Sequence, residues 1–271
     1  MEETLLSEKV ALITGASSGI GKATAILFAK LGARLALVGR NEQRLTETAS
    51  ACLAIRDSRL EKKDSPKPVL TVTADLANTH EVESICSKVL EHFHEIDILV
   101  NCAGIAIGDS VENVKLDQFD RVMATNVRAA VLLTNLLAAE LVRSKAVVVN
   151  VSSALSMRPV PQGLSYCMSK AALDEFTKCA ALCLGPKGVR VNSVVPGGTD
   201  TPMLTHAMQF LGRSGEPPKH NDSAHKFRLL GEPEEVARAI AFLASPAASF
   251  INGALLPVDG GFSAIPPLIS S

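Results

Sequence analysis

Short apolar runs rich in Val, Ile and Leu alternate with amphipathic stretches along almost the whole of this 271-residue chain. The runs fall at Val10–Thr14, Arg34–Val38, Val69–Thr73, Ile96–Asn101, Ala146–Val151, Val189–Val195 and Ala254–Pro257. Their apolar residues are not interleaved with polar ones, the pattern of strands covered on both faces. Helical periodicity fills the spaces between them, over Gly19–Leu31, Glu42–Ile55, His80–Phe93, Leu116–Arg143, Leu164–Leu184 and Pro233–Leu243. Strand, helix and strand in repetition force parallel pairing, because only a long crossover returns the chain to the same end of a sheet. The rhythm predicts an α/β fold, with one doubly wound parallel sheet of about seven strands flanked by helices. No internal repeat or linker marks a second unit, and α/β folds commonly reach this length as one domain. Residues 1–271 are therefore expected to form a single domain.

Two segments break the rhythm. Residues 56–68 are charged and carry two prolines, which predicts an exposed loop between the second helix and the third strand. Residues 203–230 have weak periodicity and include Gly212, Gly215, Pro217 and Pro218. This segment is expected to be an irregular substrate-binding loop, since ligands of open α/β sheets sit outside the carboxyl ends of the strands.

Composition removes several function classes. A net charge of −1 gives no basic footprint for nucleic acid. The apolar runs are strand-length, so no membrane span is expected. The N-terminus has no basic region followed by an apolar stretch, and the last residues are Leu-Ile-Ser-Ser rather than the peroxisomal Ser-Lys-Leu. A cytoplasmic location is the default expectation. Cysteines at 52, 86, 102, 167, 179 and 183 form no Cys-x-x-Cys pair, and they are expected to be reduced core residues, not disulfide or metal ligands.

Gly15-Ala-Ser17-Ser18-Gly19-Ile20-Gly21 joins the first predicted strand to the first predicted helix. Glycines there let the backbone turn sharply and approach a pyrophosphate at the helix N-terminus, which predicts a Rossmann-type dinucleotide site. The spacing differs from the common G-x-G-x-x-G fingerprint. The second strand ends Gly39-Arg40-Asn41, without the acid that holds the ribose hydroxyls of NAD. The planar fork of Arg40 suits a 2′-phosphate, so NADP(H) is the expected cofactor. Glu42 follows closely and reads as the favourable acid of a first helical turn.

Tyr166 and Lys170 stand four residues apart on one predicted helix, and Ser153 lies thirteen residues before the tyrosine. Positions i and i+4 share a helix face, so the lysine is expected beside the phenol. Tyrosine offers a proton, with an unperturbed pKa of about 10, and a neighbouring ammonium favours the phenolate. A serine hydroxyl can hold a substrate oxygen while charge changes on it.

Together these motifs resemble the short-chain dehydrogenase/reductase family in its single-domain form, from Lys9 to about Phe262. Thr14 through Gly21 looks like the family's glycine motif, and Ala74-Asp75-Leu76 like the corner that contacts adenine. Asn101-Cys102-Ala103-Gly104 is similar to Asn-Asn-Ala-Gly, with Cys102 in place of the second Asn. The resemblance implies four catalytic positions: Asn126, Ser153, Tyr166 and Lys170. It implies that Asn126 distorts its helix and extends a proton relay through the lysine. Pro196, Gly197, Thr199 and Thr201 resemble the motif that meets the nicotinamide carboxamide, and Val258-Asp-Gly-Gly261 the C-terminal signature.

The activity implied is NADPH-dependent interconversion of a ketone or aldehyde with an alcohol, on a small lipophilic molecule of 3-oxoacyl, steroid or xenobiotic type. A homodimer or homotetramer is implied as well. The alternative is a non-catalytic module that senses NADP(H) on the same fold. Enoyl reductases of related fold space their Tyr and Lys further apart, and sugar-nucleotide epimerases carry a larger C-terminal substrate domain.

Overall fold

A computed structural model describes residues 5–57, 67–210 and 230–264 of the protein. The elements run β1 (Val10–Thr14), α1 (Gly19–Lys30), β2 (Arg34–Gly39), α2 (Glu42–Asp57), β3 (Val69–Thr73), α3 (Thr79–Phe93) and β4 (Ile98–Asn101). Next come α4 (Leu116–Met123), α5 (Ala129–Leu136), α6 (Ala138–Ser144), β5 (Val147–Val151), α7 (Leu164–Leu184) and β6 (Arg190–Pro196). The last are β7 (Gly198–Thr199), α8 (Pro202–Phe210), β8 (Leu230–Gly231), α9 (Pro233–Ala244) and β9 (Leu255–Val258).

Seven strands form one sheet in the order β3-β2-β1-β4-β5-β6-β9, and every pairing is parallel. The chain enters at β1, builds outward to β3, then crosses back to β4 and builds the other way. That reversal opens a crevice at the carboxyl ends of β1 and β4, where ligands of such sheets bind. All five residues of β1 and of β5 are buried. On one face Ile13, Leu35 and Leu37 pack with Phe28 of α1, Leu45 of α2 and Ile240 of α9. On the other, Leu12, Val38 and Val148 pack with Ile85 of α3, Leu133 of α5 and Leu184 of α7. Each fully buried side chain of this size stabilises the fold by roughly 1.5–3 kcal/mol.

The strand pattern overstates burial at the sheet edges. In β3 only Val72 is fully buried, and in β9 no residue is, because each strand has a neighbour on one side only. The single helix expected over Leu116–Arg143 is instead three helices. A π turn at Ala124–Arg128 and a non-helical Leu137 (φ −91°, ψ 0°) divide it. Residues 202–210 are the regular helix α8, so the expectation of an irregular loop from 203 onward fails there. The remainder of that loop, 211–229, and residues 58–66 of the charged extension lie outside the described residues. Leu230–Gly231 pairs in parallel with Gly198–Thr199, a contact no local pattern announced.

The cysteine expectation holds for Cys52, Cys86 and Cys167, which are buried. Cys179 and Cys183 are exposed instead, on the outer side of α7. Among the described residues no group of three or more His, Cys, Asp or Glu could hold a metal ion. No single described helix is long and apolar enough to cross a membrane, and the bent pair Leu116–Leu136 with Ala138–Ser144 buries Leu133 and Leu141 in the core.

Candidate active site

One cleft of about 730 Å³ runs along the carboxyl ends of the strands. Its lining includes Gly15, Ser17, Ser18, Gly19, Ile20 and Gly21 from the first turn, with Arg40 and Asn41 after β2. Asp75 and Leu76 after β3, Ala103 and Gly104 after β4, and Ser153, Tyr166 and Lys170 also line it, as do Pro196 at the end of β6 and Gly197, Thr199 and Thr201 beyond it.

The glycine turn is tight because other segments press on it. Gly15 has φ +71°, and a Cβ there would meet Ala103 Cα at 2.9 Å. Gly19 has φ +51°, and its Cβ would meet Thr201 Cγ2 at 2.9 Å. Both conformations disfavour any residue with a side chain. Thr14 ties this turn to the β4 loop: its hydroxyl donates to Val100 O and accepts the N–H groups of Cys102 and Ala103 at 3.0 and 3.1 Å. Ser18 caps α1 without a side-chain hydrogen bond. The result is a backbone cradle that a Cβ would fill, at a helix N-terminus, and it fits a dinucleotide pyrophosphate.

At the far end Arg40 is exposed beside Asp75. Burial raises the Asp75 pKa, but the Ala77 N–H, the Arg121 guanidinium at 2.9 Å and the charge on Arg40 together hold it below its ordinary value. Asn41 caps α2, its Oδ1 accepting the Arg44 N–H at 2.9 Å. Glu42 lies in the first turn of α2 and does not line the cleft, whereas Arg44, absent from the sequence expectations, does. A Cβ on Gly39 would stand 3.1 Å from Ser17 Oγ, so Ser17 crowds the position where an NAD binder carries its acid.

Ser153 follows β5, and its hydroxyl accepts the Leu155 N–H at 3.2 Å. Tyr166 lies in the first turn of α7, partly open to the cleft. Lys170, one turn on, is buried; its ammonium donates to Val151 O at 2.8 Å and lies 5.7 Å from the centre of the Tyr166 ring. The pair therefore shares a helix face as expected. Burial pushes Tyr166 up to about 12, with a Ser153 hydrogen bond opposing the rise. Burial likewise pulls Lys170 down to about 8. The ammonium is itself desolvated and aimed at the Val151 carbonyl.

Asn126 does not line the cleft and stands directly behind it. The π turn turns its amide onto the β4 loop, where it accepts the Ile105 N–H at 2.8 Å and donates to Ile105 O at 2.9 Å. The same amide donates to Ser169 Oγ, which donates to Tyr166 O at 2.7 Å. Ser169 was not foreseen. A Cβ on Gly104 would lie 3.4 Å from both Asn126 Oδ1 and Lys170 Nζ, so the two groups flank one point. Asn101 was expected at the cofactor but lies outside the cleft. Its amide donates to Asn150 on the neighbouring strand, and Asn150 donates to Thr177 of α7. The Thr201 hydroxyl is also engaged, accepting the Leu204 N–H at the start of α8.

A family model described as enoyl-(acyl carrier protein) reductase matches residues 15–263. L-xylulose reductase of Caenorhabditis elegans is 35% identical over 95% of this chain and 96% of its own length. The chain belongs to the short-chain dehydrogenase/reductase family. Its fold is that of solved family members. The 3-ketoacyl-(acyl-carrier-protein) reductase of Brucella melitensis, complexed with NADH, superposes with a TM-score of 0.81 at 33% identity, covering 95% of this chain and 99% of that one. A short chain dehydrogenase of Burkholderia cenocepacia, in complex with NADP, gives 0.82 at 32% identity, covering 96% and 100%. This short-chain dehydrogenase/reductase is accordingly an oxidoreductase of the carbonyl/alcohol type with a site for a nicotinamide dinucleotide.

Proposed function

We propose that the protein reduces an uncharged, apolar ketone or aldehyde with NADPH. The observation that carries this reading is the continuity of the cleft. It joins two guanidinium groups, Arg40 and Arg44, at one end to Ser153, Tyr166 and Lys170 at the other. Arg40 and Arg44 would hold the 2′-phosphate, residues 15–21 the pyrophosphate, Asp75 and Leu76 the adenine, and Thr199 with Thr201 the carboxamide. Lys170 would meet the nicotinamide ribose. When bound, the nicotinamide supplies hydride to the carbonyl carbon.

The remaining chemistry belongs to the chain. Ser153 donates a hydrogen bond to the carbonyl oxygen and Tyr166 transfers its phenolic proton to that oxygen. The Tyr166 phenol, pushed up to about 12 by burial, carries its proton at neutral pH. Lys170 and Asn126 stand behind it as the route by which the proton is replaced. The four-residue Tyr–Lys spacing supports carbonyl chemistry over enoyl reduction. Beyond the tyrosine the described walls include Leu155, Val160, Met203, Leu204, Met208 and Phe262 beside Pro161 and the polar Gln162, with no charged side chain among these, which supports a lipophilic substrate. Exposed apolar residues on α5 and α7 (Val131, Leu136, Leu182) support a homodimer or homotetramer, to be checked by light scattering. The test of function is oxidation of NADPH, and separately of NADH, against a panel of apolar and charged carbonyls. Turnover of apolar ketones with NADPH in preference to NADH is expected. Preference for NADH, or for charged carbonyls, would overturn the finer reading.

A further inference from the structure

The loop between β4 and α4 carries a carboxylate that the chemistry above does not use. Asp109 is 4% exposed, and its polar atoms are committed to the segment entering α7. Its N–H donates to Gln162 O at 3.2 Å, and its carbonyl accepts the Leu164 N–H at 3.2 Å. Its Oδ1 accepts the Ser165 N–H at 3.0 Å, and its Oδ2 accepts the Ser165 hydroxyl. The helix needs this help. The first N–H groups of any helix lack partners within it, and the residue at the cap position of α7, Gly163, has no side chain to supply one. Asp109 is a cap delivered from another element, and its charge lies where the helix dipole favours an anion.

Tyr166 is the residue after Ser165. Lys170 is a full turn deeper and held separately, by Val151 O and by a hydrogen bond from Ser152 Oγ to its own carbonyl. Fraying of the first turn would therefore move the phenol while leaving the ammonium in place. We propose that Asp109 is a positioning residue for turnover: it fixes the first turn of α7 so that the Tyr166 phenol stays aligned with Ser153 and Lys170. The proposal rests on Tyr166 being the proton donor. Asp109 does not line the cleft. It borders a neighbouring hollow of about 580 Å³ that shares Pro161 and Gln162 with it, so the same loop also braces one wall of the substrate end.

Asp109→Ala tests this in two backgrounds. A misplacement of about 1 Å costs on the order of 100-fold in rate, so kcat is expected to fall roughly 10- to 100-fold. The NADPH dissociation constant, read by fluorescence titration, should stay unchanged, because the capped turn is remote from Arg40 and the glycine turn. Asp109→Asn keeps an acceptor for the Ser165 N–H and is expected to recover most of the loss; it also serves if the alanine variant does not fold. In a Tyr166→Phe background, Asp109→Ala should lower the residual single-turnover rate no further, since no phenol remains to be aligned. Retention of more than half of wild-type kcat, or an equal loss in both backgrounds, would overturn the proposal and make Asp109 a general support of the fold. A Tyr166→Phe enzyme that turns over normally would instead refute the proton-donor reading itself.

Discussion

Replacing Lys170 with methionine should change how stability depends on pH. Burial depresses the lysine pKa from 10.5 to about 8, and neighbouring Cys102 and Asp174 pull the other way without offsetting it. Within that window the unfolded chain holds a proton that the folded chain has released, so stability rises with pH. At 1.36 kcal/mol per pH unit, the charged lysine costs the folded wild type roughly 3 kcal/mol near neutrality, and the penalty fades toward pH 10.5. Methionine has no charge to desolvate and lacks this slope. The variant also loses the 2.8 Å hydrogen bond to Val151 O, a loss of about 1–3 kcal/mol that sets the intercept, and any change in that bond as the amine titrates is already contained in the depressed pKa. The slope is therefore diagnostic and the intercept is not. Urea unfolding of both coenzyme-free proteins, from about pH 7 to about pH 10, gives the difference directly. The upper limit matters because Tyr166, pushed up to about 12, contributes the opposite slope above pH 10. Wild type should gain about 2–3 kcal/mol relative to the variant across the range. A flat difference, or one that moves against wild type, would refute a buried, desolvated ammonium.

Arg40→Leu should lower kcat/KM for NADPH about 10- to 150-fold, the span of a hydrogen bond to a charged group at 1.5–3 kcal/mol, and leave NADH nearly unchanged. The loss should sit at the low end if Arg44 shares the phosphate, and steady-state kinetics at fixed ionic strength measure it. Arg158→Ala should raise KM for an apolar ketone about 2- to 5-fold with coenzyme affinity intact. Its guanidinium lies 4.8 Å from the centre of the Phe262 ring and donates to Phe262 O, and a cation–π contact contributes about 0.5–1 kcal/mol.

The parts legible in the sequence are those whose spacing is local. The glycine turn, the four-residue step from Tyr166 to Lys170 and the unbroken apolar strands each carry their geometry within a few residues. What escaped was decided by distant partners. Apolar periodicity runs straight through Asn126; the helix distortion that the resemblance implied there is the π turn, with the Asn126 amide paired to Ile105. Asn101 belongs to a motif that implied cofactor contact, yet pairing of β4 with β5 sets it against Asn150. Arg44 reaches the cleft because α2 starts at Glu42 and presents its first turns there. Asp109 gave no local signal, since its partner lies 56 residues away. Spacing carries no information about burial either, which raises the phenol's pKa and lowers the lysine's.

The central claim is that Tyr166 gives its proton to a carbonyl oxygen reduced in this cleft. Stopped-flow oxidation of NADPH by wild type and Tyr166→Phe, with the best ketone from the panel, tests it most directly. The substitution removes one oxygen and leaves the ring packed. The hydride-transfer rate should fall on the order of 100- to 10,000-fold, while the NADPH dissociation constant stays within about twofold of wild type. A variant that keeps more than half of the wild-type rate would contradict the account.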